Sequence, residues 1–321
     1  TTVSGGLNNK ATSMYATVGG GINNKADSVY STVSGGENNW AMDDHCTVCG
    51  GGGNVAAGSA TTVAGGGGNT ADGIAAFVGG GSTNTADGDY SAVVCGDVNR
   101  AHGESSFIGG GKGNEITTDA SLSTIGGGYY NRINQRRATI SGGSFNQANG
   151  EYSFIGGGGD DTGLGIGNRA NGMFSVIPGG RKNTVNGDFS YCFGNEVSVS
   201  DDYTAAFFSE ENPGKLGINN PNPNSTLHFD GSMATAAKTV STNYTLTDRD
   251  YVVFASGNIT ITLPPAAPLK GRVYVIKNVA VGTTVTVNVV AGSGDIDFDS
   301  SYSLAYLESI IVQSDGEFHW Y

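Results

Sequence analysis

A strict repeat runs through the first part of the chain. β-Branched residues recur at intervals of 15 positions, with a shift of two residues before Ile125 and a shift of seven before Ile177. These anchors are Val3, Val18, Val33, Val48, Val63, Val78, Val93, Ile108, Ile125, Ile140, Ile155 and Ile177, and the series closes at Cys192. A short fixed period is typical of a solenoid, because one repeat cannot bury its own apolar face and must stack on its neighbours. We therefore predict an all-β fold in which each repeat forms one coil of a single-chain β-roll.

Glycine and asparagine occupy fixed places relative to each anchor. Glycine follows the anchor by two and three residues, and the second of these positions holds glycine in all 12 coils from Gly6 to Gly180. Asparagine follows the anchor by six residues, as in Asn39 after Val33. Glycine adopts positive φ angles without steric cost, and asparagine tolerates them better than most residues. These positions are predicted to form the corners of a coil that contains two short strands, one around YSTV and one around NxA.

Alternation along the strand before each anchor predicts which side chains point outward. The tyrosine three residues before an anchor and the threonine or phenylalanine one residue before it should share the outer face. The first set is Tyr15, Tyr30, Tyr90 and Tyr152, and the second is Thr17, Thr32, Phe77, Phe107, Phe154 and Phe189. The interior would then contain Val, Ser, Ala and Asn. Because an apolar stripe on a narrow roll is normally covered by a partner, we expect a homo-oligomer.

The overall composition narrows the range of partners. Only 14% of the residues are charged, and the formal net charge is −13. No apolar run approaches the roughly 18 residues that a membrane-spanning helix needs. The chain has no basic stripe, so we expect no nucleic acid partner. We interpret the acidic surface as a determinant of solubility, and we expect no membrane span and no cofactor.

The four cysteines give only a weak indication of a metal site. Cys46, Cys49, Cys95 and Cys192 each replace a residue of the repeat. The single CxxC has no second pair and no spaced histidines after it, whereas a structural zinc site normally needs four ligands. We therefore expect free thiols that fill small positions, and no metal.

Two acidic runs bring carboxylates together, as the acid/base pair of a glycosidase requires. They are Asp43-Asp44-His45 and Asp160-Asp161. The first lies at a predicted corner and the second within the seven-residue insertion, so both are interpreted as solvated turns. The GGGGDD run at 156–161 is similar to a calcium-binding nonapeptide, but it occurs once, whereas such sites need tandem copies. We predict no catalytic residues.

The chain changes character near residue 200. Residues 1–200 are assigned to the repetitive β-roll, and residues 201–236, with a Pro/Asn cluster, to a connector. From residue 237 to 321 longer strands with period-two alternation predict a small antiparallel β-sandwich. Its last residues, Phe318, Trp320 and Tyr321, are expected to form a strand packed into the core rather than an exposed binding platform.

A group of aromatic residues is the candidate binding site of the roll. Four and five residues after the anchor the corners are mostly small or polar, but here they become Tyr129, Tyr130 and Phe145. Tyr130 and Phe145 are one repeat apart, so they should stack on adjacent coils, about 4.8 Å from each other. Exposed aromatic rings suit the apolar face of a sugar, and Arg132 and Arg136 lie close in sequence to supply hydrogen bonds. The alternative is that these rings cover the shift before Ile125 or contact a neighbouring subunit.

The tandem GGxxNxAxGxYSTVxGG resembles the head repeats of trimeric autotransporter adhesins and the related repeats of bacteriophage tail fibres. The segment KLGINNPNPNSTLHFDGSM is similar to the connector LGIGTxNPxxxLHVxGS of phage fibres, and the stretch from TITLPP to the end is similar to a β-domain at fibre tips. The resemblance covers most of the chain. It implies a homotrimer located on a virion tail fibre, with fibre or baseplate proteins and a bacterial surface polysaccharide or protein receptor as partners. One departure is that adhesin heads usually repeat every 14 residues around NSVAIG.

Three other functions remain open from the sequence. A cell-surface adhesin would need a heptad stalk and a membrane anchor, for which we find no pattern. A glycan depolymerase is disfavoured because the coils are short and no insertion is longer than seven residues. Ice binding is suggested by the file of Thr2, Thr17, Thr32, Thr47 and Thr62, but we expect the neighbouring file to hold Tyr and His. The sequence therefore favours a non-enzymatic structural and recognition protein.

Overall fold

The computed structural model describes residues 1–160, 163–209, 211 and 213–321. The chain forms two compact units. The first contains residues 1–217 and 222–228, and the second contains residues 218–221 and 229–321. The short strands Leu216–Ile218 and Leu227–Phe229 pair in a two-stranded sheet.

The first unit is a β-solenoid, as the repeat predicts. Each coil contributes one short strand to each of two parallel sheets, and successive strands pair in the register of the repeat, with Thr17 opposite Thr32 and Val18 opposite Val33. The valine sheet contains Thr2–Val3, Thr17–Val18, Thr32–Val33, Thr47–Val48, Thr62–Val63, Phe77–Val78, Ala92–Val93, Phe107–Ile108, Thr124–Ile125, Thr139–Ile140, Phe154–Ile155, Val176–Ile177, Tyr191–Asn195 and Ala205–Phe207, with Gly180–Arg181 pairing on Tyr191–Asn195. The alanine sheet contains Lys10–Ala11, Lys25–Ala26, Trp40–Ala41, Val55–Ala56, Thr70–Ala71, Thr85–Ala86, Arg100–Ala101, Glu115–Ile116, Arg132–Ile133, Gln147–Ala148, Arg169–Ala170, Thr184–Val185 and Ser198–Val199.

The interior of the solenoid is narrow and built from small side chains. In one coil, Ser31, Val33, Asn39 and Ala41 are fully buried. The same four positions are buried in most other coils, with isoleucine in place of valine or alanine further along the chain. This confirms the predicted interior of Val, Ser, Ala and Asn.

The buried asparagines form a hydrogen-bonded ladder along the solenoid. The side-chain amide of Asn39 donates to the carbonyl oxygens of Gly35 and Gly51, both at 2.9 Å. Its side-chain oxygen accepts the backbone N–H of Asn54 in the next coil at 3.0 Å. Each asparagine thus closes its own corner and joins it to the next coil. A buried amide with all its groups bonded stabilises the stack without a desolvation penalty.

The glycine three residues after each anchor is required by contact as well as by backbone angle. Gly66 has φ +83°, and a Cβ there would lie 2.2 Å from the carbonyl oxygen of Gly81 in the next coil. The preceding Gly65 has no atom within 4 Å of such a Cβ. Only the second glycine of each pair therefore permits the coils to stack.

The tyrosines three residues before the anchors are exposed, as predicted, but they lie in turns rather than on the strand that holds the threonine. Tyr15 and Tyr30 have left-handed backbones, with φ of 61° and 59°. The strands are only two residues long, so alternation does not extend back to these positions. Phe189, with φ 52°, belongs to this turn position as well, because it precedes Cys192 by three residues.

The solenoid continues beyond the predicted boundary at residue 200. In the predicted connector, 201–236, the strand Ala205–Phe207 pairs in parallel with Tyr191–Asn195, and Ala206 lies opposite Cys192. Cys192 is therefore followed by one more coil. Its signal is weak in the sequence because Ala206 replaces the β-branched anchor.

The second unit contains two four-stranded sheets, and they are mixed rather than antiparallel. One consists of Ala237–Val240, Val252–Ala255, Val273–Asn278 and Ser309–Gln313, and the other of Tyr244–Thr245, Thr260–Leu263, Val285–Val289 and Ser301–Leu304. Asp295–Ile296 pairs with His319–Trp320, and Ala267–Leu269 is a 3-10 turn. The first three strands of each four-stranded sheet run parallel, because consecutive strands alternate between the two sheets. Alternation of apolar residues predicts a buried face but not strand direction, which explains the error.

Candidate functional site

Three rings lie together at one corner of the solenoid. Tyr130 and Phe145 are stacked on adjacent coils, with centroids 5.7 Å apart and planes 6° from parallel. Tyr129 stands perpendicular to both, at 4.6 Å from Tyr130 and 5.4 Å from Phe145. Tyr129 and Tyr130 are 44% and 46% exposed. We call these three residues the aromatic corner.

The backbone at the aromatic corner is unusual for aromatic residues. Tyr130 and Phe145 have φ of 51° and 56°. Residues other than glycine, asparagine and aspartate seldom adopt this left-handed backbone region. The equivalent residues of the first coils are Asn8, Asn23 and Asn38. The stacked rings therefore occupy a strained position where a smaller residue would be more stable.

The stacking restricts which ring surfaces a ligand can reach. The facing sides of Tyr130 and Phe145 cover each other, and Gly113 of the preceding coil lies against Tyr130, since a Cβ on Gly113 would be 2.7 Å from its ring. A Cβ on Gly165 would be 3.6 Å from the ring of Phe145. A ligand therefore meets the edges of this pair together with the exposed side of Tyr129.

The two arginines predicted to assist the rings lie in different places. Arg132 is on the outer face of the alanine sheet, two residues after Tyr130, and its Nε donates to Asn134 Oδ1 at 2.8 Å. Arg136 lies in the turn at the other end of that strand, where its Nε contacts Glu151 Oε1 at 2.7 Å. The hydrogen bond with Glu151 raises the pKa of Arg136. Arg132 thus lies near the aromatic corner in the chain, whereas Arg136 belongs to the opposite turn.

The register places a different cation beside the rings. Lys112 pairs with Tyr129 across neighbouring coils, and Ser144 pairs with Tyr129 on the other side. The Lys112 Nζ lies 2.9 Å from Asp97 Oδ2, and this hydrogen bond, together with the charge of Asp97, raises the pKa of Lys112. Lys112 was not predicted from the sequence, although it follows Ile108 by four residues, as Tyr129 follows Ile125.

A second row of rings lies in the turn three residues before the anchors. Tyr152 and Phe189 were expected to face outward, but their stacking with Phe174 and Tyr203 was not predicted. Tyr152, Phe174, Phe189 and Tyr203 are stacked with centroid separations of 4.6, 4.9 and 5.2 Å. The guanidinium of Arg137 lies 5.2 Å from the Tyr152 ring at one end. A shorter row contains Tyr15, Tyr30 and His45. The common spacing of these residues, each three positions before its anchor, would have identified both rows from the sequence.

The acidic runs take part in turns. Asp44 Oδ1 accepts hydrogen bonds from Ser28 Oγ at 2.6 Å and from the Val29 N–H at 3.1 Å, and His45 stacks on Tyr30. Asp160, which was expected to be solvated, is instead buried, and its Oδ2 accepts from the backbone N–H of Gly165 at 2.6 Å. Asp161, the second residue of the other predicted pair, lies outside the described residues.

The cysteines are all unbridged. Cys46 and Cys192 are buried, and Cys49 and Cys95 are exposed. Cys46 Sγ lies 2.9 Å from the carbonyl oxygen of Gly58, and burial raises the pKa of Cys192 to about 12. Across the part of the chain that the structure describes, no three His, Cys, Asp or Glu side chains are grouped as metal ligands.

No protein family matches the chain, and no curated protein is significantly similar to it. Among the described residues, none of the helices has the length and apolar character needed to cross a membrane.

Proposed function

We propose that this chain is a fibre protein of a bacteriophage or a phage-like particle, in which the solenoid is a rigid shaft that presents binding residues to a bacterial surface. The observation that supports this most directly is the aromatic corner. The exposed rings of Tyr129 and Tyr130 and the half-buried ring of Phe145 are grouped at one corner of a solenoid whose other corners at these positions are mostly small or polar. Tyrosine has an apolar body and a polar tip, and it is enriched at binding surfaces.

The proposed assembly is a homotrimer formed through the outer face of the valine sheet. The residue before each anchor on that face is threonine in the first coils and again at Thr124 and Thr139, and it is phenylalanine at Phe77, Phe107 and Phe154. The exposed phenylalanines of that face are Phe77, Phe107, Phe154, Phe193 and Phe207, which are 37–44% exposed. Burying such a row removes apolar surface from water at about 25 cal/mol per Å². A solution mass about three times 32.6 kDa is expected.

The proposed ligand of the aromatic corner is a surface glycan, with fibre or baseplate proteins binding elsewhere on the chain. The exposed side of Tyr129 suits the apolar face of a sugar ring, and Lys112, Ser144 and Arg132 can hydrogen-bond its hydroxyl groups. The Lys112 ammonium group is a hydrogen-bond donor, and the Asp97 carboxylate beside it is an acceptor. The aromatic corner therefore offers both kinds of group to the hydroxyls of a sugar.

The experiment replaces Tyr130 and Phe145 together by serine and measures adsorption to the target bacterium. Adsorption should be lost while the trimer remains intact by light scattering. The matched control replaces Tyr15 and Tyr30 by serine. These rings are also exposed and stacked on adjacent coils, with centroids 4.8 Å apart, and both residues have a left-handed backbone. This control should adsorb normally.

Three outcomes would contradict parts of the proposal. Unchanged adsorption of the double variant would exclude the aromatic corner as the receptor site, and dissociation of the trimer would make the rings a subunit contact. A mass near 32.6 kDa for the unaltered chain would exclude the trimer. A cell-surface adhesin is the alternative, and genes for tail and baseplate proteins beside this gene would favour the fibre over it.

A further inference from the structure

Four rings are grouped on the surface of the second unit. Phe298, Phe318 and Tyr321 surround His319, with centroids 5.0, 5.4 and 5.7 Å from the imidazole. Phe298 is 73% exposed, Phe318 47% and Tyr321 48%. We call these four residues the terminal cluster. The expectation that Phe318, Trp320 and Tyr321 all pack into the core is correct only for Trp320, which is fully buried.

The imidazole at the centre of the terminal cluster is held in a fixed orientation. His319 Nδ1 lies 2.6 Å from Asp295 Oδ1, which also accepts the backbone N–H of Phe298 at 3.3 Å. The Asp315 carboxylate accepts the backbone N–H groups of Phe318 and His319, both at 3.0 Å. A carboxylate is an acceptor, so Nδ1 carries the proton and Nε2 is directed away from Asp295.

The backbone that presents Phe298 is strained. Asp297 and Phe298 are consecutive left-handed residues, with φ of 48° and 71°, between the bridged residues Ile296 and Asp299. This is the geometry of a type I′ turn, which strongly favours Asn-Gly. A phenylalanine at the second position costs free energy, and its exposure shows that the side chain does not recover this cost by burial. The turn thus holds an exposed phenylalanine at the edge of the terminal cluster.

We propose that the terminal cluster binds an uncharged pyranose ring of a glycan. The C–H face of such a ring packs on exposed aromatic side chains, and its hydroxyl groups can bond to His319 Nε2 and to the carboxylates of Asp297 and Asp299, which flank Phe298 in the chain. This inference rests on the proposed function in taking a surface glycan as the ligand, but it concerns a different unit of the chain.

The charges around the cluster disfavour an anionic ligand. Asp295, Asp297, Asp299, Asp315 and Glu317 surround it in the chain, so a uronic acid or phosphate would be repelled. An organic ammonium ion is the other common ligand of aromatic clusters, and tetramethylammonium therefore serves as the competing probe. The hydrogen bond to Asp295 raises the pKa of His319.

The test compares two glycine variants of the full chain. At φ 71° glycine relieves strain, so Phe298→Gly should keep or raise the thermal midpoint and weaken sugar binding about tenfold, the loss expected for one aromatic contact. The control is Leu307→Gly, which is 56% exposed with φ 68° in another turn of the same unit. It should bind normally.

Binding is measured by saturation-transfer NMR with methyl glucoside, methyl galactoside and N-acetylglucosamine, and with glucuronate and tetramethylammonium as charged probes. Saturation of a neutral sugar that is lost in Phe298→Gly and in His319→Ala supports the proposal. Equal signals in Phe298→Gly and the unaltered chain, or a signal from tetramethylammonium alone, would overturn it. A full signal in the Tyr130/Phe145 double variant separates this site from the aromatic corner.

Discussion

The two units of this protein use a similar arrangement of strands but are held together in different ways. In the solenoid and in the first six strands of the second unit, consecutive strands alternate between two sheets and stack in parallel on the preceding pair. In the solenoid, partners are spaced by a constant 15 residues over most of its length. In the second unit the spacing changes from 15 to 23 residues, as Val252 pairs with Ala237 and then with Val275.

This difference in spacing corresponds to a difference in what stabilises each unit. The solenoid has small interior side chains, and its coils are joined by close backbone contacts at Gly66 and by bonds such as those of Asn39. The second unit buries large side chains, including Trp320 and Tyr274 with centroids 5.3 Å apart. The solenoid needs the same residues in each coil, because the same backbone contacts recur from coil to coil. The second unit is held by side-chain packing, which permits loops of different length between its strands.

The largest effect is expected from Trp320→Ala. Trp320 is fully buried, and its Nε1 donates to the carbonyl oxygen of Pro264 at 3.1 Å. Its truncation should destabilise the second unit by about 3–5 kcal/mol. Hydrogen-exchange mass spectrometry should show lost protection in residues 229–321 only. The control, Tyr321→Ala, removes an exposed neighbour; equal loss in both variants would contradict the assignment of the core.

Gly66→Val tests the backbone contact of the solenoid. Because the added Cβ would meet the Gly81 carbonyl oxygen at 2.2 Å, we expect a loss of about 3 kcal/mol in the free energy of unfolding. Denaturant unfolding followed by the fluorescence of Trp40 measures this loss. Gly65→Ala, one residue earlier, should change stability by less than about 0.5 kcal/mol. Wild-type stability in Gly66→Val would show that the corner is an ordinary turn.

Asn69→Ala tests the asparagine ladder. It removes bonds of the side-chain amide to Gly65 and Gly81, at 2.8 and 3.1 Å, and leaves the N–H of Asn84 without its acceptor. The expected loss is about 2 kcal/mol, because buried polar groups become unsatisfied. Urea unfolding is the measurement. Asn38→Gly, at an exposed left-handed corner, should be close to neutral, and a larger effect there would argue against the ladder as the main contributor.

Asp250→Asn tests electrostatic stabilisation of the second unit. Burial alone would raise the pKa of Asp250, but the backbone N–H and hydroxyl of Thr247 and the Tyr244 hydroxyl lower it overall. A lowered folded pKa stabilises the fold above the unfolded pKa, and the contribution is lost as the pH falls through the folded value. The variant should therefore be about 1 kcal/mol less stable at pH 7, and the difference should shrink below about pH 4.

Thermal unfolding from pH 7 to pH 2 measures the effect of Asp250→Asn. Asp248→Asn, at an exposed position two residues earlier, is the control. A difference between Asp250→Asn and the unaltered chain that persists at pH 2 would contradict the electrostatic explanation.

The smallest effect is expected from Cys49→Ser. Cys49 is exposed, and the equivalent residues Ser4 and Ser34 show that serine fits this place in the coil. The thermal midpoint should change by no more than the equivalent of about 0.5 kcal/mol. Loss of bound metal in elemental analysis, or collapse of the fold, would show that the CxxC has a role beyond filling space.

Much of the solenoid was predictable because its structure repeats with its sequence. The anchors, the obligatory glycines and the buried asparagines were each identified from spacing, and so was the stacking of Tyr130 on Phe145. The positions of Arg136 and of the tyrosines were predicted wrongly or incompletely, since closeness in sequence does not show on which side of a two-residue strand a residue lies. Lys112 was overlooked because it is distant from Tyr129 in the sequence, although the register of neighbouring coils places the two residues side by side.

The sequence by itself determined the coil, because a residue and its equivalent 15 positions later make the same contact, and a local pattern then specifies the whole stack. Only the tertiary structure decided the direction of the strands in the second unit, where no fixed period relates one strand to its partner. It also decided the terminal cluster, since Asp295 and His319 are 24 residues apart and meet through the pairing of Asp295–Ile296 with His319–Trp320. Contacts between distant segments depend on the register of the fold, which alternation of apolar residues does not specify.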